Sequence, residues 1–126
     1  MATTQISNFH KELKSWIRSL SFYKEEAEVF ENRLEEVVTK NTKKALLAEA
    51  EHFQNQFILQ KEEFDILKHD IVKQEKTLVK SSKMGELALP RSVKQNQPLL
   101  RDRMQSAEKI FIETKHDFHR FVARVL

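Results

Sequence analysis

Apolar residues in the first forty positions recur at alternating spacings of three and four residues. This is the spacing of a and d positions in a coiled-coil-like helix, where one apolar stripe faces the neighbouring helices. The pattern therefore predicts a long first helix. Its predicted core positions are Ile6, Phe9, Leu13, Trp16, Leu20, Tyr23, Ala27, Phe30, Leu34 and Val37.

Two later segments show the same periodicity and predict a second and a third helix. The second segment has its apolar a and d positions at Leu46, Ala50, Phe53, Phe57, Phe64, Leu67, Ile71 and Leu78. The third has Leu100, Met104, Ala107, Phe111, Phe118, Phe121 and Val125. Gln60, Gln74 and Thr114 occupy the remaining d positions, where polar side chains lower stability but restrict register.

The a/d pattern changes phase near residue 41. The first helix places its next a position at Asn41, whereas the second requires one at Lys43. A two-residue offset is neither a stutter nor a stammer, so it predicts a tight turn. Asn41 suits the position after a helix, and Thr42 suits an N-cap. A single helix of roughly 80 residues is the alternative, because no glycine or proline precedes Gly85.

The second break is marked by Gly85, Pro90 and Pro98, with Pro98 expected in the first turn of the third helix behind Asn96 or Gln97. We predict an all-α, antiparallel up-down-up three-helix bundle forming one domain over 1–126. Its expected parts are helix 1 at about 4–40, helix 2 at about 43–84, a connection at 85–97 and helix 3 at about 98–126. A short extra helical turn using Leu87, Leu89 and Val93 fits within 86–96.

The stretch from Phe9 to Ile17, with its aromatic residue and Trp16 seven positions apart, resembles the first helix of spectrin-type repeats. The resemblance covers nine residues and implies a helical-bundle fold alone. We find no second family signature in the rest of the chain.

Composition excludes several kinds of site. The chain has no cysteine, which rules out disulfides and thiolate metal sites, and its single glycine leaves no glycine-rich phosphate loop. No signal-peptide pattern opens the chain, and no apolar run reaches the ~18–20 residues of a membrane span. These features predict a non-enzymatic cytoplasmic protein with no cofactor and no small-molecule substrate.

Two Glu-x-x-His elements are the strongest candidates for metal chemistry: Glu49 with His52, and Glu113 with His116. Paired elements of this type bind the metals of ferritin-like di-iron bundles. In the heptad frames, however, all four residues fall at g, c or f positions, which face the flanks or solvent. The sequence therefore favours surface residues and keeps a metal-binding bundle as a remote alternative.

Basic residues are concentrated around the predicted connection between helices 2 and 3. An anionic partner is the alternative function that this cluster supports. Nucleic acid is not the expected partner, because no aromatic residue interleaves with the cluster. The candidate anion-binding residues are Lys73, Lys76, Lys80, Lys83, Arg91, Lys94, Arg101 and Arg103.

Apolar residues also lie outside the a/d stripes, at c positions of the first two helices: Phe22, Val29, Leu59 and Ile66. Exposed apolar patches commonly mark interaction surfaces. A turn at 41–42 places Phe22 and Leu59 at nearly the same level of the bundle. The sequence thus predicts a protein–protein interaction or scaffold module that binds another protein or a second copy of itself through these four residues.

Overall fold

The protein, in a computed structural model that describes residues 2–84 and 89–126, is a bundle of three long helices. They are α1 (Ala2–Lys40), α2 (Lys44–Lys83) and α3 (Arg91–Val125). Contacts between distant residues show α2 antiparallel to both α1 and α3. The described part of the chain contains no strand. The predicted all-α, up-down-up fold is confirmed.

The turn between α1 and α2 occupies the phase slip at residues 41–43. Asn41 stabilises the end of α1, because its Nδ2 donates a hydrogen bond of 2.8 Å to the carbonyl of Val37. Thr42 is not the N-cap of α2. That position belongs to Lys43, whose side chain makes no capping hydrogen bond. The prediction of a turn is confirmed, whereas the assignment of Thr42 as N-cap is wrong.

The third helix begins earlier than predicted. It begins at Arg91, directly after Pro90, and Pro98 lies inside it rather than in its first turn. Pro98 cannot donate to the carbonyl of Lys94, so the helix loses one hydrogen bond there. Burial offsets this loss, because Val93 and Gln97 extend the a/d stripe and are both 0% exposed. The proposed extra turn is therefore the first part of α3 from residue 91, while Gly85 and Leu87 lie outside the described residues.

Aromatic side chains fill the half of the bundle nearest the α1–α2 turn. The ring of Phe118 contacts Phe30 and Phe57 at centroid distances of 5.0 and 5.4 Å. Phe111 contacts Tyr23 at 5.3 Å and Phe64 at 5.4 Å. Such aromatic pairs add roughly 0.5–1.5 kcal/mol each beyond the burial of their area. This half of the core accordingly joins all three helices through stacked and edge-on rings.

The buried side chains in the other half of the core are mainly aliphatic and include two amides, while Phe9 and Trp16 pack against them partly buried. Leu13, Ile71 and Val93 are fully buried there. Gln74 on α2 and Gln97 on α3 are buried beside them, with 6% and 0% of their surface exposed. The amides hydrogen-bond to each other, as buried polar groups require. The two ends of the bundle therefore differ in their most deeply buried side chains, with aromatic rings at one end and an amide pair at the other.

Candidate interaction surface and basic end

The four apolar c residues predicted to form an interaction surface are all exposed. Phe22 is 57% exposed, Val29 63%, Leu59 64% and Ile66 54%. Burying a side chain of this size is worth roughly 1.5–3 kcal/mol. The intramolecular core therefore leaves this apolar area uncovered.

Phe22 and Val29 lie beside α3 on one side of it. Glu26 is one turn from each of them on α1, and its carboxylate binds Lys115 of α3 at 2.7 Å. Residues three and four apart share one helix face, so both apolar residues border the α1–α3 groove. Ile112 of α3 is 41% exposed and lies on the same side, three residues before Lys115. We call Phe22, Val29 and Ile112 the first apolar face.

Leu59 and Ile66 border the groove between α2 and α3. Glu63 is one turn from both of them and lies 3.9 Å from Arg103 of α3. Ile110 is 53% exposed and lies seven residues after Arg103, which places it on the same stripe of α3. We call Leu59, Ile66 and Ile110 the second apolar face.

The predicted pairing of Phe22 with Leu59 is wrong. Tyr23 contacts Phe64 across the core, which places Phe22 closer in level to Ile66 than to Leu59. Phe22 and Leu59 also lie on opposite sides of α3, so they do not form one patch. They are separated because α3 packs against the g side of both α1 and α2. A c position lies only about 40° from g on the helix surface, so the c residues of each helix border its own groove with α3.

The third outer face of the bundle, between α1 and α2, is likewise bridged by ion pairs. Lys24 binds Asp65 at 3.0 Å, and Lys61 binds Glu31 at 2.6 Å. Its exposed apolar residues, Val38 and Ile58, are 45% and 39% exposed and lie far apart along the helices. This face therefore lacks a compact apolar patch. Substitutions on it can serve as controls for substitutions on the other two faces.

The basic residues near the α2–α3 connection divide into two groups. Arg101 binds Glu12 at 2.6 Å, and Arg103 binds Asp70 at 2.8 Å, so each of these two guanidinium groups already contacts a carboxylate. The remaining six form no ion pair within the residues that the structure describes: Lys73, Lys76, Lys80, Lys83, Arg91 and Lys94.

The sequence interpretation missed the contribution of α1 to the basic end. The start of α1 lies at this end, since Glu12 binds both Arg101 and Gln97 of α3. Lys11 and Lys14 are exposed next to it. The up-down-up topology predicts this placement, because it puts the start of helix 1 beside the end of helix 2.

Glu12 is the acidic centre of a network at this end. Burial disfavours its charged form, but hydrogen bonds from Arg101 and Gln97 outweigh that effect and hold the pKa of Glu12 below its ordinary value. The same contact with Glu12 raises the pKa of Arg101. Both groups therefore stay charged at neutral pH and join α1 to α3.

The Glu-x-x-His residues are all exposed. Glu49 binds Arg124 rather than a neighbouring acid or imidazole. Across residues 2–84 and 89–126, no three His, Asp or Glu side chains converge as a metal ligand set. The two Glu-x-x-His elements therefore form no shared metal ligand set in the part of the chain that the structure describes.

Comparison of the chain with family models, curated proteins and solved structures gives no match. None of the described helices combines the length and apolar character needed to cross a bilayer. The fold defines the class of protein, an all-α three-helix bundle whose third helix is bordered by two exposed apolar faces.

Proposed function

We propose that this protein is a non-enzymatic interaction module that binds a helix of another protein, or of a second copy of itself, along α3. The observation that carries the proposal is the exposure of Phe22 and Val29 on one side of α3 and of Leu59 and Ile66 on the other. The cytoplasmic location predicted from the sequence is part of the same proposal.

Helix packing is the mode of contact that this surface supports. Each apolar face presents three large side chains along a groove between two long helices, which suits the ridge of an amphipathic helix. Charged residues border both grooves, including Glu26 with Lys115 and Glu63 with Arg103. Charges at the rim set the orientation of a partner, while the apolar centre supplies most of the affinity.

Paired substitutions on each face test this proposal. Phe22→Glu with Val29→Glu removes the first apolar face, and Leu59→Glu with Ile66→Glu removes the second. Val38→Glu with Ile58→Glu is the matched control, because it adds the same charges to exposed apolar positions of the α1–α2 face. Sedimentation velocity over a range of protein concentrations measures self-association, and circular dichroism measures helicity.

We expect one of the first two variants to abolish association while the control leaves it unchanged. Association that survives both variants, or that the control disrupts equally, would contradict the use of these faces. If the unaltered chain stays monomeric, cross-linking in its native cell should capture a partner through the same residues. If the variants of both faces still self-associate, or still capture the same partner, the proposal is wrong.

A second candidate function is anion binding at the basic end. It is favoured by the six basic residues that form no ion pair with a described residue, together with Lys11 and Lys14 of α1. Retention on a phosphate matrix tests it, and moderate salt should abolish that retention. Retention that is insensitive to salt would argue against electrostatic binding.

A further inference from the structure

A groove between α2 and α3 opens at the basic end of the bundle. Its volume is about 480 Å³, and its polar lining includes Lys73, Gln74, Asn96 and Arg103. Leu99 and Leu100 form an apolar part of the wall. A few polar groups that converge beside an apolar wall are typical of sites for small molecules. None of the residues of the two apolar faces lines this groove.

Gln74 contributes an amide to the wall of the groove. Its Nε2 donates to the carbonyl of Val93 and to Oε1 of Gln97, both at 3.1 Å. A backbone carbonyl can only accept, so this contact fixes the orientation of the amide. Oε1 of Gln74 accepts no hydrogen bond from a described residue and is reached by solvent, so it is accessible from the groove that Gln74 lines.

The charged side chains that line the groove are one carboxylate, Asp70, and two cations, Lys73 and Arg103. Lys73 is exposed and forms no ion pair within the described chain. Arg103 uses Nη1 to bind Asp70, which also lines the groove, and its Nη2 lies 3.9 Å from Glu63. These contacts hold the guanidinium in place, and its Nε–H remains to donate to a ligand. The neighbouring lysines of the basic end add to the positive potential.

We propose that this groove binds a small organic anion that also carries an amino or hydroxyl donor. Lys73 and Arg103 bind the anionic group, while Oε1 of Gln74 and the carboxylate of Asp70 accept from the donor. The inference goes beyond the proposed function, since it needs no protein partner. It also differs from diffuse anion binding at the basic end, because it assigns the contacts to one groove.

Titration of the labelled protein with phosphoethanolamine, followed by proton–nitrogen correlation spectra at low salt, tests the proposal. Ethyl phosphate is the matched ligand, since it keeps the phosphate but lacks the ammonium donor. Lys73→Ala is the test variant. Lys76→Ala is its control, because Lys76 is on the same helix and carries the same charge but does not line this groove.

We expect saturable shifts centred on residues 70–77 and 92–103. The parent protein should bind ethyl phosphate about tenfold more weakly than phosphoethanolamine. The Lys73→Ala variant should bind phosphoethanolamine about tenfold more weakly than the parent does. Each loss is the effect of one charge-assisted hydrogen bond. The Lys76→Ala variant should bind almost as the parent does. Equal losses in both lysine variants, equal affinity for the two ligands, or no saturation by about 10 mM ligand would each overturn the proposal.

Discussion

Gln74 on α2 donates a hydrogen bond of 3.1 Å to Gln97 on α3, and the two amides are buried in the core. Gln97 in turn donates to Oε1 of Glu12 on α1 at 2.9 Å. One pair of amides therefore links all three helices at the end of the bundle opposite the α1–α2 turn. Gln97 thus accepts from Gln74 and donates to Glu12, which makes the three side chains interdependent.

We expect Gln97→Leu to lower the free energy of unfolding by about 1–3 kcal/mol, because it removes a donor to Glu12 and an acceptor for Gln74. The double variant Gln74→Leu, Gln97→Leu should be closer to the parent than this single variant, since replacing both partners leaves neither amide unpaired. Urea unfolding followed by circular dichroism measures both. If the double variant lost as much free energy of unfolding as the two single variants together, Gln74 and Gln97 would not be coupled.

The turn between α1 and α2 offers a matched pair of substitutions. Asn41→Ala should lower the free energy of unfolding by about 0.5–1.5 kcal/mol, because it removes the hydrogen bond to the Val37 carbonyl. Thr42→Ala is the control and should change it by less than about 0.5 kcal/mol, since no cap contact depends on that side chain. Thermal and urea unfolding of both variants decide the matter. A larger cost at Thr42 would restore the sequence-based N-cap.

Periodicity alone was sufficient for most of the fold. The phase slip between Val37 and Leu46 identified the turn without any glycine or proline. The start of α3 was predicted wrongly because Pro98 was read as a boundary signal. A continuing signal was present, since Val93 and Gln97 precede Leu100 at spacings of four and three. Burial of Val93 and pairing of Gln97 with Gln74 outweigh the backbone preference of one proline.

Only part of the candidate interaction surface could be predicted from the sequence. Heptad positions predicted that Phe22 and Leu59 would lie outside the core, and both are exposed. The heptad positions could not show on which side of the α1–α2 pair α3 packs, because an a/d stripe is compatible with either arrangement. That choice decides whether c residues of the two helices share a face. The α2–α3 groove depends on it as well, so Lys73 and Arg103 could not be placed together beforehand.

Tyr23 allows the pH dependence of the α1–α3 contact to be followed directly, since it is the only tyrosine. Burial and a hydrogen bond of 2.9 Å to Glu108 raise the pKa of Tyr23 to about 12. The folded state thus holds this proton more tightly than the unfolded state, where tyrosine titrates near 10. The contribution to stability is complete below pH ~10 and declines as the pH rises towards 12.

Absorbance of the tyrosinate gives the midpoint, with circular dichroism at each pH to show that the helices persist. Glu108→Gln should lower the pKa of Tyr23, because it removes the negative charge but keeps an acceptor. Protein unfolded in urea is the reference and should titrate near pH 10. A midpoint near 10 in the helical protein would show that Tyr23 and Glu108 do not interact.

Pro98 provides the sharpest test of where α3 begins. In a helix interior, proline is about 3 kcal/mol less favourable than alanine, because it lacks the N–H and crowds the preceding turn. Pro98 is exposed, so its replacement creates no cavity. We therefore expect Pro98→Ala to raise the free energy of unfolding by about 1–3 kcal/mol.

Gln95→Ala, at another exposed position of α3, is the control and should change the free energy of unfolding by less than about 0.5 kcal/mol. In the first turn of a helix, by contrast, proline is well tolerated and alanine brings little gain. A neutral or destabilising Pro98→Ala substitution in urea unfolding would therefore mean that α3 begins near residue 98, and that Val93 and Gln97 are not held in the core by a continuous helix.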